Sequence, residues 1–332
     1  MTTPILGLDI GKEQLDAVLL RDNHASEYAQ FDNTKPGFNQ LWRFLKKRDA
    51  HQAHVCMEAT GLYYEAVADF LYEKGATVSV VNPARIKAYA ASQLARNKTD
   101  RLDAAIIADF CRTQQPPTWT PPSAAWRQLR ALARHLDDLQ TDLQRQQNRL
   151  HARQQAAVPV VTVEAHLKQQ IHLLQQQINQ VKQDMNDHID QHPDLKRDRD
   201  LMTSIPGIGD LTANKLLAEL SDITLFDNVR QLVAFAGLNP RHHQSGSSIR
   251  HRTRISKMGR ASIRAALYMP ALVAKTHNPM LRAFADRLQQ SGHCQMEIIV
   301  AVMRKLLHLI FGILKSGQPF DPHYLENPVI CA

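Results

Sequence analysis

The sequence predicts a mixed α/β domain, then a helical region, then a mostly helical C-terminal domain. Three observations carry this. Up to about residue 112, short apolar runs alternate with amphipathic stretches. From Leu129, leucines recur at close to heptad spacing. After residue 196, a Pro-Gly turn joins two helical stretches.

Taken in order, Ile5 to Ile10 reads as a strand holding Asp9 between Gly7 and Gly11. A second strand, Gln14 to Leu20, turns through Asp22-Asn23-His24 into Glu27 to Phe31. Asn33-Thr34-Lys35-Pro36 opens a helix with Phe38, Leu41, Trp42 and Leu45 at helical spacing. His54 to Glu58 is a short strand, followed by a helix bearing Tyr64, Val67, Leu71 and Tyr72. Ala76 to Val81 is a β-branched strand stopped by Asn82-Pro83. A helix from Arg85 then leads to Asn97-Lys98-Thr99-Asp100-Arg101-Leu102-Asp103-Ala104, where another begins.

The order β-β-β-α-β-α-β-α is that of the ribonuclease-H-like fold, a mixed sheet with helices on its faces. Asp9 is expected mid-way along the first strand, Glu58 at the end of the fourth, and Asp100 with Asp103 on one face of the helix after the fifth. An acid inside a buried strand is costly unless paired or bound to a cation, and glycines beside it let a backbone or ligand come close. Four hard oxygen donors with no nearby Cys or His suit Mg²⁺ or Mn²⁺, which assist in-line displacement at phosphorus. Each acid also has a plain structural explanation. Asp100 and Asp103 could serve a helix cap and first turn, Glu58 a salt bridge, Asp9 a turn. Arg96, Lys98 and Arg101 suit a phosphate backbone, or simply neutralise the acids.

Pro116-Pro117 and Pro121-Pro122 mark a linker. Leu129, Leu132, Leu136, Leu139, Leu143 and Leu150 form one apolar stripe, and Leu167, Ile171, Leu174, Ile178, Val181, Met185 and Ile189 a second, with a break near Pro159. This region, 113–195, predicts an antiparallel coiled-coil hairpin or a seam for a second protomer. The C-terminal domain, 196–325, starts with Ser204-Ile205-Pro206-Gly207-Ile208-Gly209-Asp210, the pattern of a helix-hairpin-helix, and a short tail, 326–332, follows. Gly207 and Gly209 would let backbone N–H groups meet a phosphate, or make only a tight turn.

The chain has 332 residues, 44% hydrophobic and 22% charged, ordinary for a soluble protein of two or three domains. Its four cysteines form no C-x-x-C pair, which points away from a disulfide framework or zinc site and toward a reducing cytoplasm. The apolar stretch Ile298 to Leu314 is broken by Arg304, Lys305 and His308, so no membrane partner is expected. There is no G-x-x-x-x-G-K-[ST] or G-x-G-x-x-G nucleotide motif. Net charge is +8, yet Asn228 to Ala285 alone holds ten Lys or Arg and no Asp or Glu. Such a window, with Arg241, Arg250, Arg252, Arg254, Lys257, Arg260 and Arg264 around Ser245-Gly246-Ser247-Ser248, fits a nucleic acid better than a solvated face. On residue pattern alone Ser245 reads as flexible loop. His242, His243 and His251 are near enough in sequence to serve as bases, but spacing does not establish geometry.

The chain resembles the DEDD-type insertion-sequence transposases, the bridge-RNA-guided DNA recombinases whose N-terminal domain is like that of Holliday-junction (RuvC-like) resolvases. The resemblance runs through Gly7-Leu8-Asp9-Ile10, Glu58-Ala59-Thr60-Gly61, Asn97-Lys98-Thr99-Asp100 with Asp103-Ala104, and Ser204 to Gly209. It continues through Ala236-Gly237-Leu238-Asn239-Pro240, Ser245 to Ser248, Ser256-Lys257-Met258-Gly259 and Ala266-Leu267-Tyr268-Met269-Pro270. It implies that Asp9, Glu58, Asp100 and Asp103 are the metal-binding tetrad. It also implies that Ser245 forms a covalent phosphoserine link with DNA, with Ser247 and Ser248 close by. The implied partners are donor and target DNA, a structured bridge RNA and further copies of the chain, from dimer to tetramer. The implied place is the bacterial cytoplasm, on the nucleoid when bound. Two other functions fit the residues: a metal-dependent junction endonuclease using water, and a non-catalytic nucleic-acid-binding protein.

Overall fold

Why the N-terminal segment forms a sheet is visible in its alternation. Leu6, Leu8 and Ile10 are buried on one side of the first strand, Gly7 and Asp9 face the other, and the second strand repeats this with Leu15, Ala17 and Leu19 against Asp16 and Val18. The computed structural model describes residues 3–21, 26–93, 99–241, 244–245, 249–250 and 254–322. No helix among them is long and apolar enough to cross a membrane.

Five strands form one mixed sheet: β1 (Ile5–Ile10), β2 (Gln14–Leu20), β3 (Ser26–Asp32), β4 (His54–Glu58) and β5 (Thr77–Val81), in the order β3-β2-β1-β4-β5. β1–β2 and β2–β3 are antiparallel, while β1–β4 and β4–β5 are parallel. This is the ribonuclease-H-like arrangement expected from the element order. The predicted turn at Asp22-Asn23-His24 lies outside the described residues. α1 (Lys35–Lys46) starts at Thr34, whose Oγ1 accepts the Gly37 N–H, and α2 (Glu65–Glu73) follows β4. Phe38, Leu41 and Leu45 of α1 and Val67, Ala68 and Leu71 of α2 share a core with the β1 and β2 leucines.

Asn82-Pro83 both ends β5 and starts α3 (Pro83–Ser92). The Asn82 side chain caps the Ala84 N–H at 2.9 Å, and proline suits the first turn. The helix therefore begins two residues before the expected Arg85. α4 (Asp100–Gln114) packs on the opposite sheet face, where Ile107, Phe110 and Cys111 join Cys56, Val81 and Ile86. Two compact units result, divided between Pro121 and Pro122.

The second unit opens with two long helices, α5 (Ala124–Gln154) and α6 (Val161–Asp190), packed on each other after a short connection. His188 near the end of α6 hydrogen-bonds the Ala125 carbonyl at the start of α5, so the pair is an antiparallel hairpin. Leu129, Leu136, Ile178, Val181, Met185 and Ile189 are buried at its base, whereas Val158, Val160 and Val161 at its tip are exposed. Then come α7 (Pro193–Thr203), α8 (Asp210–Leu220), α9 (Val229–Ala236), α10 (Ala261–His277), α11 (Pro279–Gln290) and α12 (Gln295–Ser316) around one core that takes in the hairpin base. Between α9 and α10 lie two short antiparallel ladders, one nested within the other in sequence. β6 (Pro240–Arg241) pairs with β9 (Arg254–Ile255), and β7 (Gln244–Ser245) with β8 (Ile249–Arg250).

Candidate metal centre and nucleic-acid interface

The site forms where β1, β4 and α4 meet, and Gly7 makes the meeting possible. A Cβ at Gly7 would collide with the Ala104 carbonyl oxygen, the Ala108 nitrogen and the Ala108 side chain, so α4 lies directly on the β1 backbone. Two residues further on, Asp9 points to the same face by strand alternation. Asp9 is the fifth residue of six in β1, so it sits near the strand's C-terminal end rather than mid-way. Ligands gather at that end of parallel β-α units.

Thr99 starts α4. Its Oγ1 accepts the Leu102 N–H at 3.3 Å, and its carbonyl accepts the Asp103 N–H at 2.9 Å. Capping is therefore Thr99's task, and the Asp100 and Asp103 carboxylates are left to project from the first turn. One carboxylate oxygen from each of Asp9, Asp100 and Asp103 lies within 4.8 Å of the others. Glu58 closes β4 and stands outside this tight group. It is half-buried, with the Thr60 hydroxyl donating to it at 3.3 Å, and its charge still reaches Asp9. Burial, then repulsion from Asp103, Asp100, Glu58 and Asp16, pushes the Asp9 carboxyl up to about 6. The donors are oxygen only, which fits a hard divalent cation such as Mg²⁺ or Mn²⁺ held by Asp9, Asp100 and Asp103 with Glu58 at hand.

Asp16 and Tyr28 belong to this neighbourhood, and sequence reasoning missed both. Asp16 is paired across the β1–β2 ladder with Asp9, is only 5% exposed, and accepts hydrogen bonds from the Tyr28 hydroxyl at 2.6 Å and Gln30 Nε2 at 3.2 Å. The Tyr28 phenol is raised above its ordinary range, chiefly by that bond. An acid within an otherwise apolar strand was the available signal, as it was for Asp9.

In the second unit, Gly207 adopts a positive φ of 107° in the turn between α7 and α8, and a Cβ there would strike Ala274 of α10. Its bare face thus serves helix packing, with Ile205 and Ile208 buried on either side. Gly209 is the N-cap of α8 and has open space where a side chain would be.

The basic residues divide into two sets. Arg260 donates to Glu219 at 2.8 Å and lies over the Phe235 ring. Arg264 donates to the Ala236 carbonyl at 2.9 Å and the Gly259 carbonyl at 3.2 Å. Both hold the base of the β6–β9 ladder, where Ser256 also donates to Asn239 Oδ1 at 2.7 Å. Arg241 and Lys257 are exposed beside that base. Ser245 pairs with Ile249 in the β7–β8 ladder, and Arg250 and Arg254 lie on the return strands. Arg96, Lys98, His242, His243, Ser247, Ser248, His251 and Arg252 lie outside the described residues.

The chain carries the two parts of a DNA transposase, a DEDD domain and a second transposase domain. The chain belongs to the IS110 family of transposases. A model described as "Transposase" for this family's DEDD domain matches residues 6–159, and one described as "Transposase IS116/IS110/IS902 family" matches residues 199–286. The pilin gene-inverting protein of Moraxella bovis is 32% identical over 98% of this chain and 100% of its own length. The transposase for insertion sequence element IS1328 of Yersinia enterocolitica is 23% identical over 96% of this chain and 98% of its own. Among solved structures, RuvC of T. thermophilus in complex with a Holliday junction substrate aligns with 36% of this chain and 100% of its own at 13% identity, with a TM-score of 0.28.

Proposed function

We propose that this transposase cuts and rejoins DNA strands by a metal-assisted, serine-mediated recombination. Asp9, Asp100, Asp103 and Glu58 would hold Mg²⁺ or Mn²⁺. The observation that carries this reading is the convergence of three carboxylates within 4.8 Å, which their mutual repulsion would disfavour without a cation. A divalent ion bound there would stabilise charge developing on a phosphate under attack.

Ser245 is the nucleophile in this reading. As its Oγ bonds to phosphorus, the bond from phosphorus to one deoxyribose oxygen breaks, the serine proton passes to solvent, and the leaving oxygen takes up a proton. A strand hydroxyl later attacks the phosphoserine and frees the serine, so the phosphodiester is restored without ATP. One fact supports rejoining over simple cutting: the relatives in Moraxella that match over their whole length are named for gene inversion, which requires resealed ends. Site choice would rest with a structured bridge RNA pairing to donor and target DNA. Gly209, Arg241, Arg250, Arg252, Arg254 and Lys257, with Arg96 and Lys98 in the first unit, would grip backbone phosphates. The exposed hairpin tip suits contact between protomers in a dimer or tetramer.

The test is a covalent adduct on a denaturing gel, using protein, its element's flanking RNA, Mg²⁺ and donor and target DNA. A metal-dependent adduct in wild type that is missing from Ser245→Ala supports recombination through serine. Cleavage without an adduct supports the second reading, a nuclease using water, which the carboxylate cluster alone would suffice to run.

A further inference from the structure

Arg101 stands between Asp100 and Asp103 in sequence, next to a concentration of negative charge that should draw it in. Among the described residues it makes no ion pair. Its guanidinium lies instead over the Tyr28 ring, 5.5 Å from the centroid. Tyr28 is fixed from beneath: its hydroxyl donates to Asp16 at 2.6 Å, and Asp16 is held in place by Gln30 and by burial on β2. Donating a hydrogen bond to a carboxylate pushes electron density into the phenol and strengthens its face as a seat for a cation. The ring is 39% exposed, so the seat is at the rim of the site, within reach of a ligand.

We propose that Tyr28, pinned by Asp16, holds Arg101 beside the carboxylate cluster rather than in it, and that Arg101 there binds a backbone phosphate of the DNA strand being cut. This rests on the reading of Asp9, Asp100 and Asp103 as the cutting site. The arrangement separates two tasks that adjacent charges would otherwise confuse. The acids stay open to a divalent ion, and the arginine offers its planar fork to a phosphate. A neutralising arginine would do the opposite and compete with the metal.

The experiment uses full-length protein and two probes: Mn²⁺ by calorimetry, and a fluorescent forked DNA of arbitrary sequence bound in Ca²⁺ across a salt series. Arg101 is exposed, so Arg101→Ala should fold. It is expected to keep Mn²⁺ affinity within about twofold and to lower the slope of log affinity against log salt by about 0.7–0.9, one phosphate's share. Tyr28→Ala should lose the same slope and also weaken Mn²⁺ binding several-fold, because the released Arg101 falls onto the acids. An unchanged salt slope in Arg101→Ala overturns the phosphate contact, and Mn²⁺ binding tightened tenfold in that variant overturns the separation. Asp103→Ala distinguishes the underlying reading, since retained Mn²⁺ binding there removes the metal centre itself whatever Arg101 does.

Discussion

Gly7 lies so close to Ala104 that the helix carbonyl occupies the place where a side chain would be. The strand carrying Asp9 and the helix carrying Asp100 and Asp103 are thereby a single packed part. Gly7→Ala should cost about 2 kcal/mol by overpacking, measured by urea denaturation. It should also weaken Mn²⁺ binding, because α4 must move away from β1. A variant of undiminished stability and affinity would mean the close approach does not set the carboxylate geometry.

Asp9 gives the metal-free protein a pH signature. Its carboxyl is raised in the folded state, so folding takes up a proton, and the contribution of Asp9 to stability becomes less favourable as pH rises from about 4 to above about 6, where Asp9 must carry its charge. Above that pH the penalty is roughly 1–2 kcal/mol once partial exposure is allowed for. Asp9→Asn should therefore raise the melting temperature in EDTA at pH 7.5 and lose most of that advantage as pH falls to about 4. Mn²⁺ should stabilise wild type and not the variant, and its affinity should fall as pH drops below about 6.

Much of this was readable from residue order. The strands announced themselves through β-branched or alternating runs, Asp9 through its cost inside one of them, and Asp100 with Asp103 through their spacing on one helix face. What a single sequence could not show is pairing. Asp16 looks like one polar residue among Leu15, Ala17 and Val18, and only the β1–β2 register sets it opposite Asp9. Tyr28 gains its meaning from the next register along, and Thr99 rather than an aspartate proves to be the cap. Charge counting likewise put Arg260 among the candidate phosphate contacts with no sign of an acidic partner. Its partner Glu219 lies on α8, outside the acid-free window, where the count could not see it.

Arg260→Ala should consequently behave as a structural variant. Glu219 is about 9% exposed and would be left without its cation, at a cost of about 1–3 kcal/mol. Lys257→Ala, at an exposed position, should leave stability within about 0.5 kcal/mol and reduce the salt slope of DNA binding. Chemical denaturation of the two variants side by side checks the division. Equal loss in both would erase it.

Asp103→Ala should reduce strand cleavage by about a hundredfold or more while leaving DNA binding largely intact. Filter binding and a cleavage gel on the same preparation check this. Full cleavage in the variant would remove the carboxylates from the chemistry.

The two short ladders between α9 and α10 are out of step with each other. Arg241 pairs with Arg254 and Gln244 with Arg250, so two residues separate the ladders on the outgoing side and three on the return side. An odd residue on one side of an antiparallel pair reverses the alternation of its faces. Which residues share a face therefore has to be read for each ladder by itself, and a substitution designed from the register of one ladder does not transfer to the other.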